Sequence, residues 1–302
     1  VQAKEAGRKV VGMYCTYLPR ELVMATGAVP LGLCGTIEPP IAAAEKNLPR
    51  NLCPLIKSSY GMAITDRCPY FLLSDMVVGE TTCDGKKKMF EVLQSKGIKN
   101  IYVMQLPQTQ GAASALELWV AELRRLKDYL ENYFGQEITD EAIREAIHIV
   151  NEESRARQDL FDLNRRKPAI ISGMDIVNIS FLTGFQVDRR EAIRMMDTVR
   201  DELLAKADAG YAVGDASTKR ILLTGTPVGI GNEKVVRLVE EAGALVVAKE
   251  TCGGYKTVEL RVDESDPSDP IVLLAKKYLQ IPCSVMSPNA GRLALLRRMA
   301  RD

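Results

Sequence analysis

Seven cysteines, at positions 15, 34, 53, 68, 83, 252 and 283, are the residues of this 302-residue sequence best suited to chemistry. In a reducing compartment such thiols serve as packing groups, nucleophiles or metal ligands. Their neighbours speak against packing alone. Cys34 precedes Gly35, Cys53 and Cys68 precede prolines, Cys83 precedes Asp84-Gly85, Cys252 precedes Gly253-Gly254, and Cys283 follows Pro282. These are turn and element-end sequences, where side chains from separate elements can converge. Cys53, Cys68 and Cys83 recur every 15 residues and Cys252 and Cys283 lie 31 apart, with no close CxxC pair. That spacing departs from zinc knuckles and from bacterial ferredoxins, and suits a cluster held by single cysteines on separate loops. The lone histidine, His148, shares a polar helical stripe with Glu141, Glu145 and Glu152. It reads as solvent-facing, so imidazole-centred acid–base or metal chemistry has little support.

The elements that must position these thiols are read from periodicity and punctuation. PRELVMATGAV predicts a short helix stopped near Gly27, and VPLGLCG a strand with Cys34 at its exit. The proline-punctuated IEPPIAAAEKNLPRNLCP is a loop with one helical turn, and it brings Cys53 to the start of the helix LIKSSYGMAI. Amides exposed there favour a thiolate. FLLSDMVVGE contains a buried strand, with Cys83 in the loop before the amphipathic KKKMFEVLQSKG, and IYVMQLP is the next strand. Leu116, Trp119, Val120, Leu123, Leu126 and Leu130 mark a helix over about 113–133, and a charged helix begins near Thr139 or Asp140. After NRRKP the chain restarts at AIISG, and the next helix is drawn through Ile193, Met196, Val199 and Leu203 over about 187–207. RILLTG and ALVVAKE are strands flanking the helix EKVVRLVEEAG, and PIVLLAKKYL is a helix before IPCSV.

This alternation predicts an α/β chain of two open Rossmann-like domains with mainly parallel sheets, 1–165 and 166–302, and a cluster at their interface near the carboxyl ends of the strands. Lys plus Arg is 40 against 39 for Asp plus Glu, so charge favours neither a nucleic acid nor an anionic membrane. The apolar runs fall far below the roughly 20 residues of a membrane span, and a cytoplasmic location is expected. TGTPVGIGN matches neither the phosphate-loop pattern nor GxGxxG, so any ATP is expected to be hydrolysed by another polypeptide.

Several stretches are similar to the D-component family of 2-hydroxyacyl-CoA dehydratases, which includes benzoyl-CoA reductase subunits and double-cubane cluster proteins. They are VVGMYCTYLPRELVMATGAVPLGLCGT, LPRNLCPLIKSSYGMAI, VVGETTCDGKKKMFEVL, YVMQLPQ, TGTPVG, AKETCGGYKTVEL and IPCSVMSPN, in the family's order and over most of the chain. The resemblance implies that Cys53, Cys83 and Cys252 ligate one [4Fe–4S] unit. Cys34, Cys68 and Cys283 resemble the double-cubane branch more closely, so six cysteines would anchor two cubanes joined by a sulfide, an [8Fe–9S] group. Cys15 is expected to be a packed thiol. By the same resemblance a homodimeric iron–sulfur ATPase donates low-potential electrons to an oxygen-sensitive homodimer, which reduces a small-molecule substrate. Dehydration of an (R)-2-hydroxyacyl-CoA on a single [4Fe–4S] cluster is the second implied activity. A non-catalytic iron–sulfur carrier is a reading of a different class that stays open beside them. Two places depart from the pattern. Thr226 stands where TG-C-PVG is expected, and that branch commonly continues through another βα portion beyond RLALLRRMARD, so a shortened second sheet is expected.

Overall fold

The structure, a computed structural model, describes residues 2–33 and 35–302, the side chain of Gln2 excepted. Cys34 and its expected ligand role therefore lie outside the described residues. The chain packs into two compact units, residues 1–148 with 262–289 and residues 149–261 with 290–302. The expected division at 165/166 is linear, whereas packing carries the segment with Cys283 back to the first unit.

In the first unit α1 (Gln2–Glu5), β1 (Val10–Met13), α2 (Arg20–Ala25), β2 (Val29–Gly32), α3 (Ile41–Ala44), α4 (Pro54–Ile64), α5 (Pro69–Leu73), β3 (Met76–Glu80), α6 (Asp84–Ser95), β4 (Ile101–Met104) and α7 (Ala115–Phe134) precede α8 (Asp140–Asp162), which runs into the second unit. The strands form one parallel sheet in the order β2-β1-β3-β4, registered by Val11 opposite Met76 and Val77 opposite Ile101. All five residues of β3 are buried, as a central parallel strand covered on both faces requires. A Cβ on Gly79 would lie 2.2 Å from Cζ of Phe90, so this glycine lets α6 lie directly on the strand. The stripe Trp119, Leu123, Leu126 and Leu130 on α7 is fully buried, and Gly135 ends that helix at φ 65°. α13 (Pro270–Leu279) packs on α7. Its Lys277 Nζ lies 2.7 Å from Glu21 Oε1, and the Tyr278 hydroxyl donates to Glu21 Oε2 at 2.7 Å.

The second unit contains α9 (Gly173–Gly184), α10 (Arg189–Asp208), β5 (Lys219–Thr224), α11 (Lys234–Glu241), β6 (Ala244–Glu250), α12 (Tyr255–Val258) and α14 (Ala290–Met299). Its sheet is the parallel pair β5-β6, running from Lys219 opposite Ala244 to Thr224 opposite Glu250, with a one-residue register shift between Ile221 and Leu222. α9 lay in a stretch without a predicted helix, because GMDIVNISFLTG is bounded by glycines and rich in β-branched residues. Its backbone is started by Ser172, whose hydroxyl accepts from the Asp175 amide at 2.9 Å. Among the described residues no helix is long and apolar enough to cross a membrane.

Candidate metal centre

Cys53, Cys68 and Cys83 occupy the same local position: each is the N-cap of a helix, α4, α5 and α6 respectively. Pro54 and Pro69 start two of these helices because a first-turn residue needs no amide donor. Thiols so placed face the unsatisfied amides of the first turn, which favour negative charge. The three are not equivalent. The Cys68 sulfur accepts from the Phe71 amide at 3.3 Å, and burial pushes its thiol up against that hydrogen bond. Cys53 and Cys83 make no side-chain capping bond, and Cys53 is exposed while Cys83 is half-buried. A Cβ on Gly85 would lie 2.6 Å from Ile56 Cδ1 and 3.0 Å from Leu52 Cδ1. The absence of a side chain at Gly85 therefore brings the first turn of α6 against the chain on either side of Cys53.

Cys283 reaches the carboxyl end of the same sheet through backbone ties. Tyr17, after β1, donates from its hydroxyl to the Ile281 carbonyl at 3.2 Å. Gln110, after β4, donates to the Leu279 and Ile281 carbonyls at 2.5 and 3.1 Å, and the Ser287 amide donates to the Gln108 carbonyl at 2.8 Å. Gln108 in turn donates to the carbonyls of Thr81 and Thr82, just before Cys83. The exits of β1, β3 and β4 and the Cys283 segment are thus one hydrogen-bonded rim. Cys15, expected as a packed thiol, is half-buried on the β1 exit.

In the second unit Cys252 follows β6, two residues past Glu250, and Thr226 follows β5, two residues past the paired Thr224. A Cβ on Gly254 would lie 2.1 Å from the Lys249 carbonyl oxygen, so the turn after Cys252 closes only around a glycine. The Thr257 hydroxyl donates to the Cys252 carbonyl at 3.2 Å. His148, expected on a solvent-facing stripe, is 43% exposed, and its Nδ1 lies 2.8 Å from Glu264 Oε2.

Buried charges recur beside these cysteines in the sequence. β3 ends on Glu80 and β6 on Glu250, both 0% exposed, and a buried lysine follows each six residues later, Lys86 and Lys256. Lys57, four residues after Cys53, is buried as well. The repeated words ETTCDGK and ETCGGYK carried the signal, but a lysine in a turn sequence reads as solvated until burial is known. Lys57 Nζ lies 2.7 Å from Glu45 Oε1, and Lys256 Nζ 3.2 Å from Glu250 Oε1, which Arg292 also engages. Lys86 donates to the Tyr14 carbonyl at 3.1 Å and lies 4.5 Å from the centre of the Tyr14 ring, with no ion pair among the described residues.

Glu80 accepts from the Leu18 amide at 2.9 Å, while its Oε2 has no hydrogen-bond partner among the described residues. Burial, opposed by Lys86 and the Leu18 amide, pushes its carboxyl up from 4.5 to about 7. Between these values the folded chain holds a proton that the unfolded chain has lost. Stability is therefore full below the unfolded value and falls as pH rises through the folded one. In iron-free protein Glu80→Gln is expected to remove a loss of about 3 kcal/mol between pH 5 and 8. Urea titrations of both proteins across that range check it, and parallel pH profiles would contradict it.

Parallel strands whose exits carry cysteines define an α/β protein with candidate thiol ligands at its sheet ends. The chain belongs to the family described as 2-hydroxyglutaryl-CoA dehydratase, D-component, which it matches over residues 15–302. It is 45% identical to the Escherichia coli (strain K12) protein named "Putative dehydratase subunit YjiM", over 99% of this chain and 76% of that one. It is 23% identical to the (R)-phenyllactyl-CoA dehydratase beta subunit of Clostridium sporogenes, over 99% and 77% of the two chains. A benzoyl-CoA reductase subunit of Thauera aromatica is 25% identical, over 92% and 70%.

Proposed function

We propose that this chain is the iron–sulfur component of an electron-driven reductase or dehydratase, with Cys53, Cys83 and Cys252 as its primary thiolate ligands. The observation that carries the reading is that Cys53 and Cys83 cap two helices whose first turns meet at Gly85, with neither sulfur used in capping. The donor chemistry fits, since thiolates beside helix amides are the ligands an iron–sulfur group takes. Among the described residues no three Cys, His, Asp or Glu side chains form a metal-holding group. When bound, the cluster supplies low-potential electrons. The chain's own part is to hold the thiolates, donate amides to sulfur and exclude water at the rim of the sheet.

The favoured form is an [8Fe–9S] double cubane, with Cys34, Cys68 and Cys283 added. The return of Cys283 to the strand-exit rim supports it. The alternative, one [4Fe–4S] cluster, needs only Cys53, Cys83 and Cys252 and leaves Cys68 as a capping sulfur that accepts from the Phe71 amide. In either form a homodimer in the cytoplasm receives electrons from a separate homodimeric iron–sulfur ATPase. The substrate is a small molecule, reduced in one reading and dehydrated as an (R)-2-hydroxyacyl-CoA in the other. Anaerobic protein with a low-potential reductant separates these readings. Consumption of reductant in proportion to added small molecule supports the reductase, and formation of an enoyl-CoA without net consumption supports the dehydratase. Cluster transfer to an iron-free ferredoxin with neither would leave only a carrier.

A further inference from the structure

We propose that Lys86 is a positioning residue of this site: its buried ammonium, on the first turn of the helix that Cys83 caps, is the fixed positive charge beside which an anionic iron–sulfur group on Cys83 sits. The inference rests on Cys83 as a ligand. Lys86 is the third residue of α6, a position from which a side chain can reach the N-cap, and its ammonium lies under the sheet end, against Tyr14 and 5.9 Å from the centre of the Phe90 ring. A capping box places Glu or Gln there, as an acceptor for the N-cap amide. Lysine cannot accept, and its charge is opposed by the positive end of the helix dipole. Lys86 is nevertheless only 6% exposed. Its ammonium has three donors, and among the described residues a single hydrogen bond, to the Tyr14 carbonyl at 3.1 Å, is made. The face of the Tyr14 ring, 4.5 Å away, supplies part of the missing stabilisation.

Cys53, Cys83 and Cys252 are each followed, three or four residues later, by a buried lysine. Lys57 is neutralised by Glu45 and Lys256 by Glu250. Lys86 alone of the three lacks an ion pair among the described residues, with Glu80 acting on it only from beyond pairing distance. A buried cation at the adverse end of a helix is sustained by a compensating anion, and a thiolate-ligated cluster at Cys83 brings one.

The test is the midpoint potential of the anaerobic protein, followed by its low-temperature magnetic spectrum, together with iron retention under a chelator. Lys86→Gln keeps a donor for Tyr14 without the charge, Lys86→Arg keeps the charge, and Lys86→Met removes both. We expect Lys86→Gln and Lys86→Met to shift the potential to more negative values and to lose iron several-fold faster, with Lys86→Arg close to the parent. A shift in Lys86→Met that is absent in Lys86→Gln would assign the effect to the lost hydrogen bond and overturn the proposal. So would an iron-loaded parent whose potential and iron retention match those of Lys86→Gln. A parent without iron and sulfide would be a separate failure, that of the cluster reading itself.

Discussion

Cys83→Ala is expected to strip the anaerobically isolated protein of iron and sulfide, while Cys15→Ala keeps both. Cys83 stands at the N-cap of α6 with its sulfur uncommitted to capping, three residues beyond the last residue of the central strand β3. If Cys83 is a ligand as proposed, its removal deletes an iron–thiolate bond. Even changes to groups that only support a metal ligand cost about 10–100-fold in affinity, so loss of a ligand should exceed about tenfold. Cys15 is half-buried on the β1 exit, and its truncation costs a small cavity, about 1 kcal/mol. Iron and sulfide analysis with thermal unfolding of both variants checks the pair. Equal cluster loss in Cys15→Ala would place Cys15 among the ligands.

Gly254→Ala is expected to destabilise the protein by about 1–3 kcal/mol, the range of an overpacked site, and to reduce cluster retention through Cys252. The new Cβ would stand 2.1 Å from the Lys249 carbonyl oxygen and 3.2 Å from Thr251 Oγ1. The first obstacle is backbone at the end of β6, so relief requires the turn around Cys252 to open. Gly253 is the control, since a Cβ there meets nothing within 4 Å. Gly253→Ala should stay within about 0.5 kcal/mol of the parent. Equal stability of the two variants would show that the turn is not held as described.

The sequence carried the α/β order well, because its signals are local. MVVGE is an uninterrupted buried strand, and the stripe from Trp119 to Leu130 has one period and one buried face. Helix starts at Cys53 and Cys83 are legible from the helical character of LIKSSYGMAI and from the amphipathic run after Asp84. α9 was not, since its β-branched residues between two glycines lack a helical signature, and its stability comes from Ile176 and Val177 packing inward. The return of 262–289 to the first unit is held by contacts such as that of Glu21 with Lys277 and Tyr278, across more than 250 positions, that no local pattern announces. The roles of Glu80 and Lys86 are not legible for a related reason. Their charge is visible in the sequence, and their burial is a property of the sheet they close.

The most direct measurement of the central claim is the amount of iron and acid-labile sulfide per chain in protein isolated without oxygen. The account predicts both elements in near-equal amounts, about eight irons per chain, falling when Cys34, Cys68 or Cys283 is replaced. About four irons, indifferent to those three replacements, would return the site to a single [4Fe–4S] cluster on Cys53, Cys83 and Cys252. Zinc without sulfide, or no bound metal in protein that is otherwise folded, would contradict the account.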